Sequence, residues 1–166
     1  MENLWSPWRS KYIESLSEEK DDDKCIFCEA AKNDVNDPEN LLVRKDESTF
    51  TLLNLYPYNN GHLMIVPFRH IGDLDDLSDQ EGSEIFRELK LARRALLDIS
   101  KPQGFNIGAN LGRIGGAGID EHIHFHIVPR WNGDTNFMPV LGDVKVISQE
   151  LKETKIKLLN AYKKFK

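Results

Sequence analysis

His122-Ile123-His124-Phe125-His126-Ile127-Val128 places a histidine at every second position and fills the gaps with apolar residues. Successive side chains of a β-strand point to opposite faces. The segment therefore predicts a strand, ended by Pro129, with three imidazoles on one face and Ile123, Phe125 and Ile127 turned to a core. Three imidazoles in a row do not build a core, because buried they need partners and exposed they contribute nothing to folding. Two chemistries suit them: metal ligation, for which imidazole is the commonest ligand, and nucleophilic and acid/base catalysis near neutral pH. A solvated polar face is the reading without function.

The 166-residue chain has the length of one domain and is long enough to hold a core without disulfides. Its 22 Lys and Arg against 27 Asp and Glu give a net charge of −5, which argues against nucleic acid as a partner, since Lys and Arg on phosphates supply most of that affinity. No apolar run approaches the roughly 20 residues of a membrane span. Met1 to Arg9 carries Glu2 and no apolar stretch, so no secretory signal is expected and a cytoplasmic location is. Trp5, Pro7 and Trp8 are expected to pack on the body or on another subunit, and the acidic run Ser17 to Lys24 reads as a solvated linker. Residues 1–24 then form an arm and linker of a single domain, 1–166.

Leu41–Lys45, Thr49–Asn54, His62–Pro67 and Phe105–Leu111 read as further strands. Tyr56 to Gly61 forms a loop through its proline and its Asn-Gly pair. Ser78 with Glu81 is a capping box. It opens a helix with apolar Ile85, Leu89, Ala92, Leu96 and Ile99, stopped by Pro102 and Gly104. A second amphipathic helix spans Ile147 to Phe165, with Leu151, Leu158 and Tyr162 on one stripe. The predicted fold class is α+β, with a mostly antiparallel five-stranded sheet and two main helices.

Gly112-Arg113-Ile114-Gly115-Gly116-Ala117-Gly118 leads into the histidine segment. Such loops let backbone N–H groups approach phosphate closely, although the Gly-Lys-Ser/Thr of a P-loop is absent. With three histidines beside it, the combination suggests phosphoryl or nucleotidyl chemistry.

His122 to Arg130, read as His-φ-His-φ-His-φ-φ-Pro-Arg, resembles the signature of the histidine triad (HIT) superfamily. Leu53 to Pro67, Gly104 to Gly112, Trp5-Ser6-Pro7-Trp8-Arg9 and Gly133 to Phe137 extend the likeness, and within the superfamily the set is most similar to bacterial diadenosine tetraphosphate (Ap4A) phosphorylases. The resemblance implies that His124 is the nucleophile toward an α-phosphorus. It implies that His126 contacts the α-phosphate and leaving-group oxygens, and that His62 lines the same site. Asn54 would contact ribose hydroxyls and Asn110 would lie near the phosphates. Gly116, Ala117 and Gly118 would supply backbone donors, and Trp131 would line the nucleotide pocket. The hydrolytic branches commonly carry Gln four residues before the first triad histidine, where this chain has Gly118, a difference that favours inorganic phosphate over water as acceptor. Hydrolysis of Ap4A, aminoacyl-adenylates or AMP-amines is the second reading, and a nucleotide-binding module without turnover the third. The resemblance also implies a homodimer or tetramer.

Cys25-Ile26-Phe27-Cys28 is compatible with a metal half-site, a redox pair or structural thiols. The metal reading needs two more ligands, for which the chain offers His70 and His122, and Cys2His2 is an ordinary tetrahedral zinc set. Several HIT proteins bind zinc in this way, and the resemblance therefore implies structural zinc on Cys25, Cys28, His70 and His122.

Overall fold

The computed structural model describes residues 25–135, 147 and 149–165. The expected packing of Trp5 and Trp8 and the linker Ser17–Lys24 lie outside the described residues. The elements run α1 (Ile26–Lys32), β1 (Leu42–Lys45), β2 (Thr49–Leu53), β3 (Leu63–Pro67), α2 (Asp79–Ser100), β4 (Gly104–Ala109), β5 (Phe125–Arg130) and α3 (Leu151–Lys164). The strands form one five-stranded sheet in the order β1-β2-β3-β5-β4, with every neighbouring pair antiparallel. The α+β reading and the antiparallel five-stranded sheet stand.

Period-two alternation divides the apolar residues between two layers. Val43, Leu53, Leu63, Ile65 and Ile127 pack with Ile85, Leu89, Ala92 and Leu96 of α2 and Leu158 and Tyr162 of α3. Leu42, Phe50, Leu52, Met64 and Val66 pack on the other face with Phe27 of α1. Both faces of β3 are covered, so its apolar run is continuous rather than alternating. Glu84 of α2 is wholly buried. It accepts hydrogen bonds from the Ser48 backbone N–H at 3.0 Å, the Ser48 hydroxyl at 2.8 Å and the Thr49 hydroxyl at 2.7 Å. A buried carboxylate with three donors is satisfied, and it fixes the β1–β2 turn to α2.

Helix α2 starts as expected. Ser78 and Glu81 form both bonds of the capping box, and Arg69 closes on the Glu81 carboxylate at 2.6 Å, which holds Glu81 down to about 2. The helix ends at Ser100, with Lys101 in the left-handed conformation at φ 47°. Thus Lys101, not a glycine, makes the turn before Pro102.

The two main helices stand, and the described residues add a short third, α1, a seven-residue element without a side-chain cap at Cys25. A helix this short is not stable alone and is held by Phe27 in the core. Two expectations about element bounds need correction. The C-terminal helix begins at Leu151, so Ile147 is not helical. The histidine strand begins only at Phe125 and runs through Pro129 to Arg130. Pairing with β3 spans Ile65↔Phe125 to Leu63↔Ile127, and pairing with β4 spans Ala109↔Phe125 to Gly104↔Arg130. Upstream of Phe125 neither neighbour offers a ladder, and Ile123 N–H bonds instead to the Ile71 carbonyl at 2.6 Å. Pro129 is tolerated because the β3 ladder has already ended at Ile127.

Candidate functional site

His126 is the register partner of Met64, and His62 stands two residues before Met64, so all three fall on the face that α1 covers. The two residues just upstream of β5 complete the group, since the His124 ring lies 4.9 Å from that of His126 and the Phe27 ring touches both His122 and His124. His62 is brought in by the Asn60-Gly61 turn. Gly61 has φ +72°, and a Cβ there would meet Leu96 at 2.9 Å, so glycine is required twice over.

Backbone partners set the protonation of each ring. An N–H cannot accept, so a ring nitrogen facing a carbonyl carries the hydrogen and one facing an amide N–H does not. His124 Nδ1–H donates to the His122 carbonyl at 2.9 Å, which leaves Nε2 as a lone pair with no partner among the described residues. The Tyr58 amide donates to His62 Nδ1 at 3.0 Å. His62 Nε2–H therefore donates to His126 Nδ1 at 2.9 Å, and His126 must carry its hydrogen on Nε2. That atom is buried and takes no partner among the described residues. The site thus presents one unprotonated nitrogen, on His124, next to one unpartnered N–H donor, on His126. Asn54 Nδ2 approaches His62 Nδ1 at 3.3 Å, and its Oδ1 accepts from the Tyr56 amide at 3.0 Å.

Burial disfavours the imidazolium. It lowers His124, with the His122 carbonyl opposing. It also lowers His126, with His124 adding to the effect, to about 4. Between about pH 6.5 and 4 the unfolded chain binds a proton at His126 that the folded chain does not, so acidification costs stability in that window. His126→Asn removes this loss. The urea midpoint of the variant should fall less between pH 7 and pH 5 than that of the native chain, and equal falls would refute the assignment.

The second cluster adjoins Phe27, whose ring lies 5.5 Å from that of His122. One ligand atom each from Cys25, Cys28, His70 and His122 falls within 4.8 Å of the others. Cys25 Sγ is 3.2 Å and Cys28 Sγ 3.6 Å from His122 Nδ1, and Cys28 Sγ is 3.4 Å from His70 Nδ1. Tetrahedral zinc with Zn–S of about 2.3 Å and Zn–N of about 2.0–2.1 Å needs S···N of about 3.5 Å, so the donor set fits that ion. His122 Nε2–H donates to the Pro67 carbonyl at 2.9 Å, which turns the Nδ1 lone pair to the thiols, as an outer partner of a ligating histidine does. Both cysteines are free thiols. The cluster can hold a metal ion.

The five histidines and two cysteines form one continuous neighbourhood. The remaining expected residues differ in placement. Asn110 Nδ2 donates to the Gly116 carbonyl at 3.3 Å and so braces the glycine loop. The amides of Gly116 and Ala117 bond within that loop, to Arg113 and Gly112 carbonyls, and of the three expected donors Gly118 alone stays outside those bonds. Trp131 is not brought to the histidines: it follows the last residue of β5, five residues on from His126, or roughly 16 Å along the chain, and its indole N–H donates to the Ser100 carbonyl at 3.2 Å. Three contributors escaped the sequence: Phe27 inside the CxxC, the Pro67 carbonyl, and Tyr58, whose ring lies 4.7 Å from His62 and 5.6 Å from His126.

Comparison with known proteins agrees with this geometry. The AP-4-A phosphorylase of Mycobacterium tuberculosis is 39% identical over 160 residues, covering 93% of this chain and 81% of that protein. An adenosine 5'-monophosphoramidase of Schizosaccharomyces pombe is 32% identical over 110 residues, covering 65% of this chain and 75% of that one. Among solved structures, a Zn-bound histidine triad family protein from Mycobacterium smegmatis superposes with TM-score 0.69 at 24% identity, covering 86% of this chain and 95% of that one. A hypothetical histidine triad nucleotide-binding protein from Sulfolobus tokodaii gives TM-score 0.69 at 25% identity, with coverages of 85% and 93%. The sequence model of the HIT domain matches residues 36–133, and the chain belongs to the HIT family.

Proposed function

We propose that this chain is a nucleotidyl-transferring phosphorylase that cleaves diadenosine polyphosphates, converting Ap4A and inorganic phosphate to ATP and ADP. The observation that carries the reading is the tautomer of His124, whose Nε2 is unprotonated beside the unpartnered Nε2–H of His126. In the first step the Nε2 lone pair forms a P–N bond to an α-phosphorus. The P–O bond to the ATP leaving group breaks, and its electron pair goes to that oxygen, which His126 Nε2–H meets. In the second step an oxygen of inorganic phosphate forms a P–O bond to the same phosphorus, the P–N electron pair returns to Nε2, and ADP leaves. His124 Nδ1–H stays on the His122 carbonyl throughout, so the imidazole departs as a neutral ring. Two displacements replace one difficult one, and the fixed donor meets charge where it develops.

The acceptor is assigned as phosphate on two grounds. The relative covering most of the chain is named a phosphorylase. Gly118 also leaves open space where a larger residue would project, with nothing within 4 Å of a Cβ position. Asn54 is assigned to the ribose and Asn110 and Gly118 to the phosphates. Cys25, Cys28, His70 and His122 would hold a structural zinc, which ties α1 to the segment entering β5 without touching substrate. Free cysteines suit a reducing compartment such as the cytoplasm, and among the described residues no helix is long and apolar enough to cross a membrane. Strand β4 is a sheet edge carrying the exposed Ile107, a surface suited to joining two copies edge to edge.

Turnover of Ap4A with and without phosphate tests the acceptor. ADP and repeated turnover should appear only when phosphate is present, with no more than one ATP released per site without it. AMP released at the same rate without phosphate makes the protein a hydrolase, and no turnover under either condition makes it a binding module.

A further inference from the structure

Tyr58 has two attachments to the site and they are separable. Its backbone amide fixes the tautomer of His62. Its ring, about half exposed, leans on His62 and His126 at tilts of 39° and 34°. The ring thus touches both histidines while about half of the residue stays open to water. An aromatic face held on a rigid support beside a phosphate-transfer centre is the arrangement on which nucleobases stack, because every base has a π-face. The ring reaches both groups of the site. It lies 4.7 Å from His62, whose Nδ1 Asn54 approaches, and 5.6 Å from His126, whose Nε2–H, without a partner among the described residues, is assigned to the leaving oxygen, so it reaches the leaving-group side through His126.

We propose that the Tyr58 ring is the platform for the base of the leaving nucleotide, and so the residue by which the site distinguishes a dinucleoside polyphosphate from a mononucleoside one. This rests on the phosphorylase reading above. The oligophosphate between the two nucleosides is a flexible chain that can turn the second base back onto a ring at the rim. Tyr58 is thus assigned a binding role for which the signature histidines have no group: they address phosphorus and its oxygens, not the far nucleoside.

The test compares Ap4A with adenosine 5′-tetraphosphate, which has the same phosphates and lacks the second adenosine. In the full-length protein, Tyr58→Ala should raise KM for Ap4A about 10–100-fold, the scale of losing one stacked base. KM for adenosine tetraphosphate should move less than about 3-fold, and kcat for both should be nearly kept. Tyr58→Phe should restore the Ap4A value. Because alanine keeps the backbone amide, the His62 tautomer is not disturbed. A cover that merely shields the histidines would weaken both substrates equally, and that result overturns the proposal, as does an unchanged ratio of the two KM values. Binding of both nucleotides to His124→Asn, with and without Tyr58→Ala, gives the same comparison without turnover. If native protein turns over neither nucleotide, the phosphorylase reading fails and this proposal with it. If it turns over Ap4A and the ratio stays fixed, this proposal alone fails.

Discussion

Replacing His124 by asparagine should lower kcat for Ap4A cleavage by more than about 1,000-fold, the scale expected when the nucleophile of a catalytic unit is lost. Nucleotide affinity should change by less than about 3-fold. The asparagine amide can still donate to the His122 carbonyl, which Nδ1–H meets at 2.9 Å in the native chain, so the segment entering β5 keeps its conformation. What disappears is the Nε2 lone pair. His126→Asn should behave differently. It removes the buried N–H that has no partner among the described residues but leaves the nucleophile, so a slower reaction of the general-acid scale, about 100-fold or more, is expected. It should affect least the substrates whose leaving groups need no help. Steady-state kinetics on the two variants, with the urea midpoint of each as a control for folding, checks both. A His124→Asn protein retaining a tenth or more of native kcat removes covalent catalysis from the account.

Cys28→Ser, or removal of metal by a strong chelator, should take the protein from about one zinc per chain to less than a tenth and lower its Tm by about 8–16 °C. A metal present at 1,000 times its Kd stabilises by about 4 kcal/mol, and a chain of this size moves about 2–4 °C per kcal/mol. Activity should fall too, though no reacting group is touched. His122 offers Nδ1 to the cluster and its carbonyl to His124, so whatever holds the His122 ring also aims the nucleophile. Phe27 sits between the two cysteines and packs 4.8 Å from the His124 ring, a second link between cluster and nucleophile. Metal analysis with a thermal scan of the same sample decides the matter. Protein that holds less than a tenth of an equivalent of zinc and melts at the same temperature after chelation has no structural zinc.

The parts of this molecule legible in the sequence are those whose cause is local. The capping box needs only Ser78 and Glu81 three residues apart, and it forms as read. The alternation from His122 to Val128 correctly separates a histidine face from a core face. It overstates the strand, because the pairing with both neighbours stops at Phe125, where β4 ends and β3 runs on to Pro67 unpaired on that side. Helix α1 was not legible: seven residues with a cysteine at the cap position carry little helical signal, and Phe27 stabilises it only once the sheet is present. Glycine spacing suggested a loop open to phosphate, but the chain turns Gly116 and Ala117 N–H inward. The partners that set the tautomers were hidden for the same reason. The Tyr58 amide, the Pro67 carbonyl and the His122 carbonyl are backbone atoms, and residue type says nothing about where they point. The cysteine and histidine cluster was legible as a set of residue types, and its closure depends on loop 67–71 meeting the segment before β5.

The central claim is that His124 Nε2 takes the nucleotidyl group and hands it to phosphate. Native protein mixed with Ap4A in phosphate-free buffer and quenched in alkali, where phosphoramidates survive, should yield the peptide bearing His122 to Arg130 with AMP on His124. Adding inorganic phosphate before the quench should discharge that peptide and release ADP in equal amount. Unmodified peptide from a sample that forms ATP and ADP, or AMP bound to another residue, would contradict the account.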